Sequence, residues 1–358
     1  MSSVFGKNFN ISIFGESHGK AIGAVIDGFP AGFKIDEEEL AEFMALRAPG
    51  GELATKRREP DKVNFLSGVL DGVLCGSPVV AAIENTNCIS NDYKNLMDIP
   101  RPGHADYTAQ IKYGGAQDVR GGGHFSGRIT APLCVAGGIA KQILEQKGIE
   151  IYASIVSIGK AEEKRPTEFP DLETMRKINP EFPVYDGQNA ELFKNEIRNA
   201  MADCDSVGGV IECAVFGLPV GLGDPMFEGA EGNISRIVFG IPAVKGIEFG
   251  SGFYGSKLRG SENNDGYYYD ENGDVKTYTN NHGGILGGIT SGMPLYFRTA
   301  MKPTPSIAKP QNSISFSRHE NSELVIKGRH DPCIVVRAVP CIISAAALAV
   351  YDMIMSDK

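Results

Sequence analysis

The heptapeptide FGESHGK, residues 14–20, sets a serine and a histidine side by side in a glycine turn. Its core, Gly15-Glu16-Ser17-His18-Gly19, has the G-x-S-x-G spacing of a serine-hydrolase nucleophile elbow. An elbow requires a strand that turns sharply into a helix, after several strands of the sheet have formed. Here the strand-like NISIF leads in, AIGAVID leads out as a second strand, and the motif stands almost at the amino terminus. The nucleophile reading of Ser17 lacks its structural context, and His18 becomes the residue with chemistry to offer.

His18 is one of six histidines, and four others also neighbour glycine, proline or acid: RPGHAD (His104), GGGHF (His124), NNHGG (His282) and GRHDP (His330). Singly, each reads as a turn residue; Asp106 reads as the cap of a helix starting at Tyr107, with His104 as loop filler. As a group, they put imidazoles that titrate near neutrality into backbone able to approach a ligand closely. Arginines share the same loops: Arg101, Arg120, Arg128, Arg329 and Arg337, with Lys56, Arg57 and Arg58 in KRRE. Guanidinium matches phosphate and carboxylate with paired hydrogen bonds, so beyond those used in surface salt bridges these side chains imply a small anionic substrate. MKPTPSIAKP, residues 301–310, adds Lys302, Thr304 and Ser306 in a proline-stiffened loop suited to phosphate. No Walker loop and no strand-linked G-x-G-x-x-G occurs, and GGILGG at 283–288 lacks that spacing.

Several elements must hold these loops. IDEEELAEFMALRA reads as a helix capped by Asp36, with Glu39 three residues on and Leu40, Phe43 and Met44 on one face. TAPLCVAGGIAKQILEQKG (130–148) is a second helix whose small residues imply close packing, and NAELFKNEIRNAMADC is a third. The apolar run from Cys341 to Ile354, interrupted by Tyr351 and Asp352, reads as a buried carboxy-terminal helix. GGVIECAVFGLPVG (208–221) repeats the order of GAVIDGFPAG (23–32), which suggests a duplicated α+β unit. Residues 160–188, rich in charge and proline, read as surface connections. The polar segment 255–281 reads as a long mobile loop or lid, without the glutamate that an EF-hand needs after DENGD.

The 44 acidic and 35 basic residues leave a net charge of -9, which argues against nucleic acid or an anionic membrane surface as partner. Seven cysteines with no C-x-x-C pair point to reduced thiols, with neither a disulfide framework nor a structural metal. MSSVFGKNFN lacks the pattern of a secretory signal and no apolar run has spanning length, so the expected location is cytoplasmic.

In order along the chain, GESHG, RPGHADYT, RGGGHFSGR, NNHGGILGG, MKPTPS and GRHDPCIVVRAVP resemble the chorismate synthase family, from about Phe5 to Asp352. The resemblance implies an α+β fold, a β-α-β sandwich with a helical core between antiparallel sheets and an internal pseudo-repeat, as one domain over 1–358 in a homotetramer. It implies anti-1,4-elimination of phosphate from 5-enolpyruvylshikimate 3-phosphate to give chorismate, with reduced FMN and no net redox change. NADPH or a separate flavin reductase would supply the reduced cofactor. By the same resemblance the catalytic residues are His18, which serves the departing phosphate, His104, which protonates or stabilises the flavin, and Asp331, which assists deprotonation. Flavin contacts fall on Ser126, Ala243, Gly287, Lys302, Thr304, Ser306 and Arg329, joined by His124. Substrate contacts fall on Ser17, Arg47, Arg57 and Arg128; no metal is implied.

The chain departs from the family pattern in places. An arginine-rich R-R-R-P-G run is LRAPG around Arg47, a further arginine is missing near GELAT, G-R-S-S-A-R-E-T is GHFSGRIT, and Ile343 stands for a glutamate. Each lost charged hydrogen bond would weaken phosphate binding by about 1.5–3 kcal/mol, and a protonated His124 would restore one. Two other readings compete: a non-catalytic flavin- or substrate-binding homologue, and a metal-dependent phosphohydrolase using His104, Asp106, His330 and Asp331.

Overall fold

Two antiparallel five-stranded sheets account for most of the strand structure in this computed structural model, which describes residues 3–48, 61–86, 96–163, 167–326 and 331–356. The first sheet contains β1 (Val4–Phe5), β2 (Asn10–Gly15), β3 (Ala21–Asp27), β4 (Val63–Ser67) and β5 (Val79–Glu84), in the spatial order β1-β2-β3-β5-β4. The second contains β6 (Glu150–Ile158), β7 (Ala161–Glu162), β8 (Gly209–Phe216), β9 (Val244–Phe249) and β10 (Leu295–Met301), in the order β9-β10-β8-β6-β7. GAVID and GVIEC, similar in sequence, form β3 and β8, the central strand of each sheet.

The main helices are α1 (Glu37–Arg47), α2 (Asp106–Tyr113), α3 (Thr130–Glu145), α4 (Gly187–Ala202), α5 (Ala230–Val238) and α6 (Val335–Ser356). α3 packs on β3 and β5, α6 packs on β6 and β8, and the two helices pack on each other. Small residues make that contact close: a β-carbon built on Gly137 of α3 would stand 2.2 Å from Ser344 Cβ of α6. Asp36 caps α1 as its sequence implies, accepting from Glu38 N at 3.1 Å and Glu39 N at 2.9 Å. Buried Gln142 of α3 ties down the same turn, accepting from Asp36 N at 3.0 Å and donating to Asp36 O at 2.9 Å.

α6 starts six residues before the apolar run that marks it in the sequence, and carries Pro340 within its second turn. By length and composition it is long and apolar enough to cross a membrane, but 83% of its most apolar window is buried inside the chain. The two polar residues that interrupt the run are anchors. Asp352 accepts from Lys7 N at 2.9 Å and Asn8 N at 3.3 Å, and Tyr351 donates to Gly28 O at 2.9 Å.

Two expectations about loops need correction. Segment 255–281 is not a long structureless loop. It carries a helical turn (Gly260–Asn263) and a hairpin pairing Tyr267–Tyr269 with Val275–Thr277. Strand-forming tyrosine, valine and threonine flank a turn in which Asp270 accepts from Asn272 N and Asp274 N, both at 2.9 Å. Asp265 closes its base, accepting from Asn281 N at 2.8 Å and His282 N at 2.9 Å. Residues 160–188 are also more than surface connection: Phe169 stacks on Tyr296 at 4.4 Å and Met175 is buried, forming a small apolar cluster against the second sheet.

Candidate active site

A cavity of about 1420 Å³ opens where the loop before α2, the glycine turn before α3, the α5–β9 connection, the segment after β10 and the start of α6 meet. Pockets for single small ligands run to roughly 300–1,000 Å³, so this space is large enough for more than one. Among its walls are Arg47, His104, His124, Ser126, Ala243, Lys302, Thr304, Ser306 and Asp331, contributed by segments far apart in the chain.

The loop RPGHAD folds around a carboxylate. Asp106 is the first residue of α2 but makes no cap; Ala105 holds the cap position without a side-chain bond. The carboxylate turns back instead. Its Oδ2 accepts from Arg101 Nε at 2.7 Å and Arg101 N at 2.9 Å, and its Oδ1 accepts from Arg101 Nη2 at 2.8 Å. His104 Nδ1 stands 2.6 Å from the same Oδ1. Burial raises the Asp106 pKa, but hydrogen bonds from Arg101 and His104 and the charge of Arg101 outweigh burial and hold it well below the usual carboxylate range. Arg101 Nη1 also reaches Ser306 Oγ at 3.4 Å, and Lys302 Nζ donates to Gly103 O, so this loop and segment 302–306 support each other.

The turn Gly121-Gly122-Gly123 has φ values of 58°, 88° and 55°, a run of left-handed backbone that only glycine adopts readily. Its geometry also requires missing side chains: a β-carbon on Gly122 would lie 3.1 Å from His104 Nε2, and one on Gly121 would lie 2.6 Å from His18 Nε2. His104 therefore faces the cavity wall on one side of the turn, while His18 and Ser17 lie on the other side and do not line the cavity. Ser17 Oγ donates to Arg120 O at 3.1 Å.

Part of the cavity lining is cationic. Lys302 and Lys245 both belong to it, and burial together with the charge of Lys245 lowers the Lys302 pKa. Ala243, whose carbonyl accepts from Lys302 N at 2.9 Å, has φ 76°, a strained value for a residue with a β-carbon. Two buried oxygens on the lining have no hydrogen-bond partner among the described residues: Thr304 Oγ1 and Asp331 Oδ1. Asp331 Oδ2 accepts from Arg337 Nη1 at 2.5 Å, yet burial pushes its carboxyl above the ordinary value because one ion pair does not compensate the lost water.

Behind Asp331, Arg337 Nε donates to Arg47 O at 3.0 Å. Arg47, itself buried, pairs with Asp61, and so does Arg128. Burial raises the Asp61 pKa, but the charges of Arg47 and then Arg128 outweigh it and leave the carboxyl below its ordinary range. Cys341 lines the same region, with its sulfur 3.8 Å from that of Cys134.

Other sequence expectations fall elsewhere. His124 lines the cavity but is not a spare cation for phosphate: its Nδ1 lies 2.7 Å from Gly15 O and its Nε2 2.8 Å from Ser3 Oγ, so both nitrogens serve the chain. Gly287 lies outside the cavity, in the turn between Ile285–Leu286 and Ile289–Thr290. His282 is structural, its Nδ1 accepting from Gly284 N at 2.8 Å. Arg120 pairs with Asp118 at 2.7 Å in solvent. Arg57, Arg329 and His330 lie outside the described residues. Among the described residues no group of three or more histidine, cysteine, aspartate or glutamate side chains is arranged to hold a metal ion. Asp61, Lys245 and the supporting role of Asp106 were missed, although an acid three residues beyond the Arg57-Arg58 pair was a usable signal for Asp61.

The family model described as Chorismate synthase matches residues 9–355. Curated relatives named Chorismate synthase include that of Korarchaeum cryptofilum, 43% identical over 98% of this chain and 97% of its own. That of Thermococcus kodakarensis is 45% identical over 99% and 98%. A solved structure titled Crystal Structure of Chorismate Synthase superposes with a TM-score of 0.78 at 28% identity, covering 98% of this chain and 93% of that one.

Proposed function

This chain belongs to the chorismate synthase family, and on that footing we propose that it removes phosphate from 5-enolpyruvylshikimate 3-phosphate by anti-1,4-elimination, giving chorismate. Membership makes it a lyase of the shikimate pathway. The observation that carries the residue-level reading is the convergence on one cavity of His104, Lys302, Thr304, Ser306 and Asp331.

The cavity residues fit reduced FMN beside the substrate. The volume exceeds that of a single-ligand site, Lys302 and Lys245 are cations within reach of a phosphate, and Thr304 Oγ1 is a buried hydroxyl without a partner among the described residues. When bound, reduced flavin supplies electron density as the C–O bond to phosphate breaks. The chain's own groups bind, orient and manage protons. Lys302, Thr304, Ser306, Ser126 and Ala243 hold the cofactor, a role the sequence resemblance extends to Arg329. Arg47, which lines the cavity, and Arg57 hold the substrate's phosphate and carboxylates, supported from behind by Arg128 through Asp61 and by Ser17 across the glycine turn. His104 holds a proton at Nε2 or releases it, Asp331, with a raised pKa and an open Oδ1, assists deprotonation, and His18, which stands behind Gly121 of the cavity wall, serves the departing phosphate from that side of the turn. A helix layer between two sheets with an internal repeat, one domain over the whole chain, a homotetramer and a cytoplasmic location belong to the same proposal.

The test is an anaerobic assay with purified protein, photoreduced FMN and the enolpyruvyl substrate, which removes the need for NADPH or a reductase. Equal release of phosphate and chorismate is expected. Binding without either product would replace the lyase with a non-catalytic homologue.

A further inference from the structure

We propose that Asp106 is a positioning residue that fixes His104 as the Nδ1–H tautomer, leaving Nε2 as the atom that meets the proton at the cavity. The inference rests on the reading of His104 as an acid–base group. Oδ1 of Asp106 stands 2.6 Å from His104 Nδ1, and an ionised carboxylate has only lone pairs to offer. An unprotonated Nδ1 at that distance would set lone pair against lone pair. A protonated one makes a charge-assisted hydrogen bond of ordinary short length.

Arg101 is the competing donor, with Nη2 3.1 Å from Nδ1, but that nitrogen also lies 2.8 Å from Asp106 Oδ1 and is oriented by it. Three donors of Arg101, including its backbone N–H, converge on the same carboxylate, so Asp106 is itself held rigidly. This explains why Asp106 at the first position of α2 makes no cap. Through Arg101 Nη1 and Ser306 Oγ, at 3.4 Å, the same carboxylate also ties the imidazole to segment 302–306. Gly122 keeps the far side of the ring clear, since a β-carbon there would stand 3.1 Å from Nε2.

The experiment records nitrogen NMR of histidine-labelled full-length protein, with the His104 ring identified by its loss in His104→Ala, alongside anaerobic turnover. In the native chain, neutral His104 is expected to carry its proton on Nδ1. In Asp106→Asn the proton is expected to move to Nε2, with kcat falling about 10²-fold or more and KM changing little. Asp106→Glu is expected to restore the tautomer and part of the rate. A native His104 protonated on Nε2 overturns the proposal without any variant; so does an Asp106→Asn enzyme with native tautomer and nearly native kcat. Normal turnover by His104→Ala would instead remove the acid–base reading, an outcome separate from the tautomer result.

Discussion

Gly121 lies so close to His18 that a β-carbon built on it would stand 2.6 Å from the imidazole Nε2. The next residue repeats the relationship with the other histidine, since a β-carbon on Gly122 would stand 3.1 Å from His104 Nε2. One glycine turn therefore spaces two imidazoles that lie 86 residues apart in sequence. Its glycines are needed for clearance as well as for backbone shape.

Gly121→Ala is expected to fail on both counts. Left-handed φ costs an alanine about 1–2 kcal/mol, and overpacking against a ring adds about 1–3 kcal/mol. Thermal unfolding should show a clear loss of stability, and turnover should fall more than tenfold as His18 is displaced. A variant with native turnover would show that the ring's position does not matter to the reaction.

Much of this arrangement is legible in the sequence because it is local. The Asp36 cap, the small-residue face of α3 and the glycine-set histidines all follow from neighbours within a few positions. What is not legible depends on which charge meets which. Asp106 has the identity and position of a helix cap, and only the folded loop shows that it faces Arg101 and His104. His124 reads in the sequence as a substitute contact for phosphate, but Ser3 and Gly15 O engage both ring nitrogens, and neither contact is visible from GHFSG. Segment 255–281 misleads because its polarity suggests a loop, whereas asparagine, aspartate and glycine flanked by tyrosines build a hairpin.

Asp331→Asn is expected to separate activity from stability. Burial raises the Asp331 pKa, so the native state keeps this proton to higher pH than the unfolded chain does. Stability therefore falls as pH rises from the ordinary carboxylate range through the raised native value, and the cost is fully present above it. A neutral amide of the same shape should leave the protein at least as stable near pH 7, with the advantage shrinking in acid. Turnover should fall by about 10²–10⁴-fold. Denaturant melts of both proteins across pH give the check; a variant destabilised at neutral pH and not in acid would contradict it.

Asp61→Asn should behave in the opposite sense. Burial alone would raise this carboxyl, but Arg47 and Arg128 hold it below its ordinary value. Its stabilisation is then complete above the ordinary carboxylate range and is lost as pH falls through that range to the depressed native value. Leaving two buried guanidiniums against a neutral amide should cost about 3–5 kcal/mol near pH 7. The difference from the native protein should close on acidification, as native Asp61 also becomes protonated. Urea unfolding at neutral and acid pH measures both, and a pH-independent deficit would mean that packing, not charge, is what Asp61 supplies.

Ala243→Gly tests whether the strained turn beside the cavity serves the site. Ile241, Pro242, Ala243 and Val244 form a turn closed by Val244 N donating to Ile241 O at 3.3 Å, with Ala243 at φ 76°. Proline second and a positive φ third is the type II pattern, whose third position favours glycine. Alanine there costs about 1–2 kcal/mol, whereas glycine would loosen the unfolded chain by about 0.4–1 kcal/mol. The two nearly offset, so the melting temperature should stay level or rise slightly. Ala243, however, lines the cavity, and its carbonyl receives Lys302 N at 2.9 Å, so glycine frees the backbone that sets Lys302. Half-saturation by reduced FMN is expected to shift several-fold upward with little change in stability. If FMN saturation is unchanged while stability rises, the strain at Ala243 has no part in holding the cofactor.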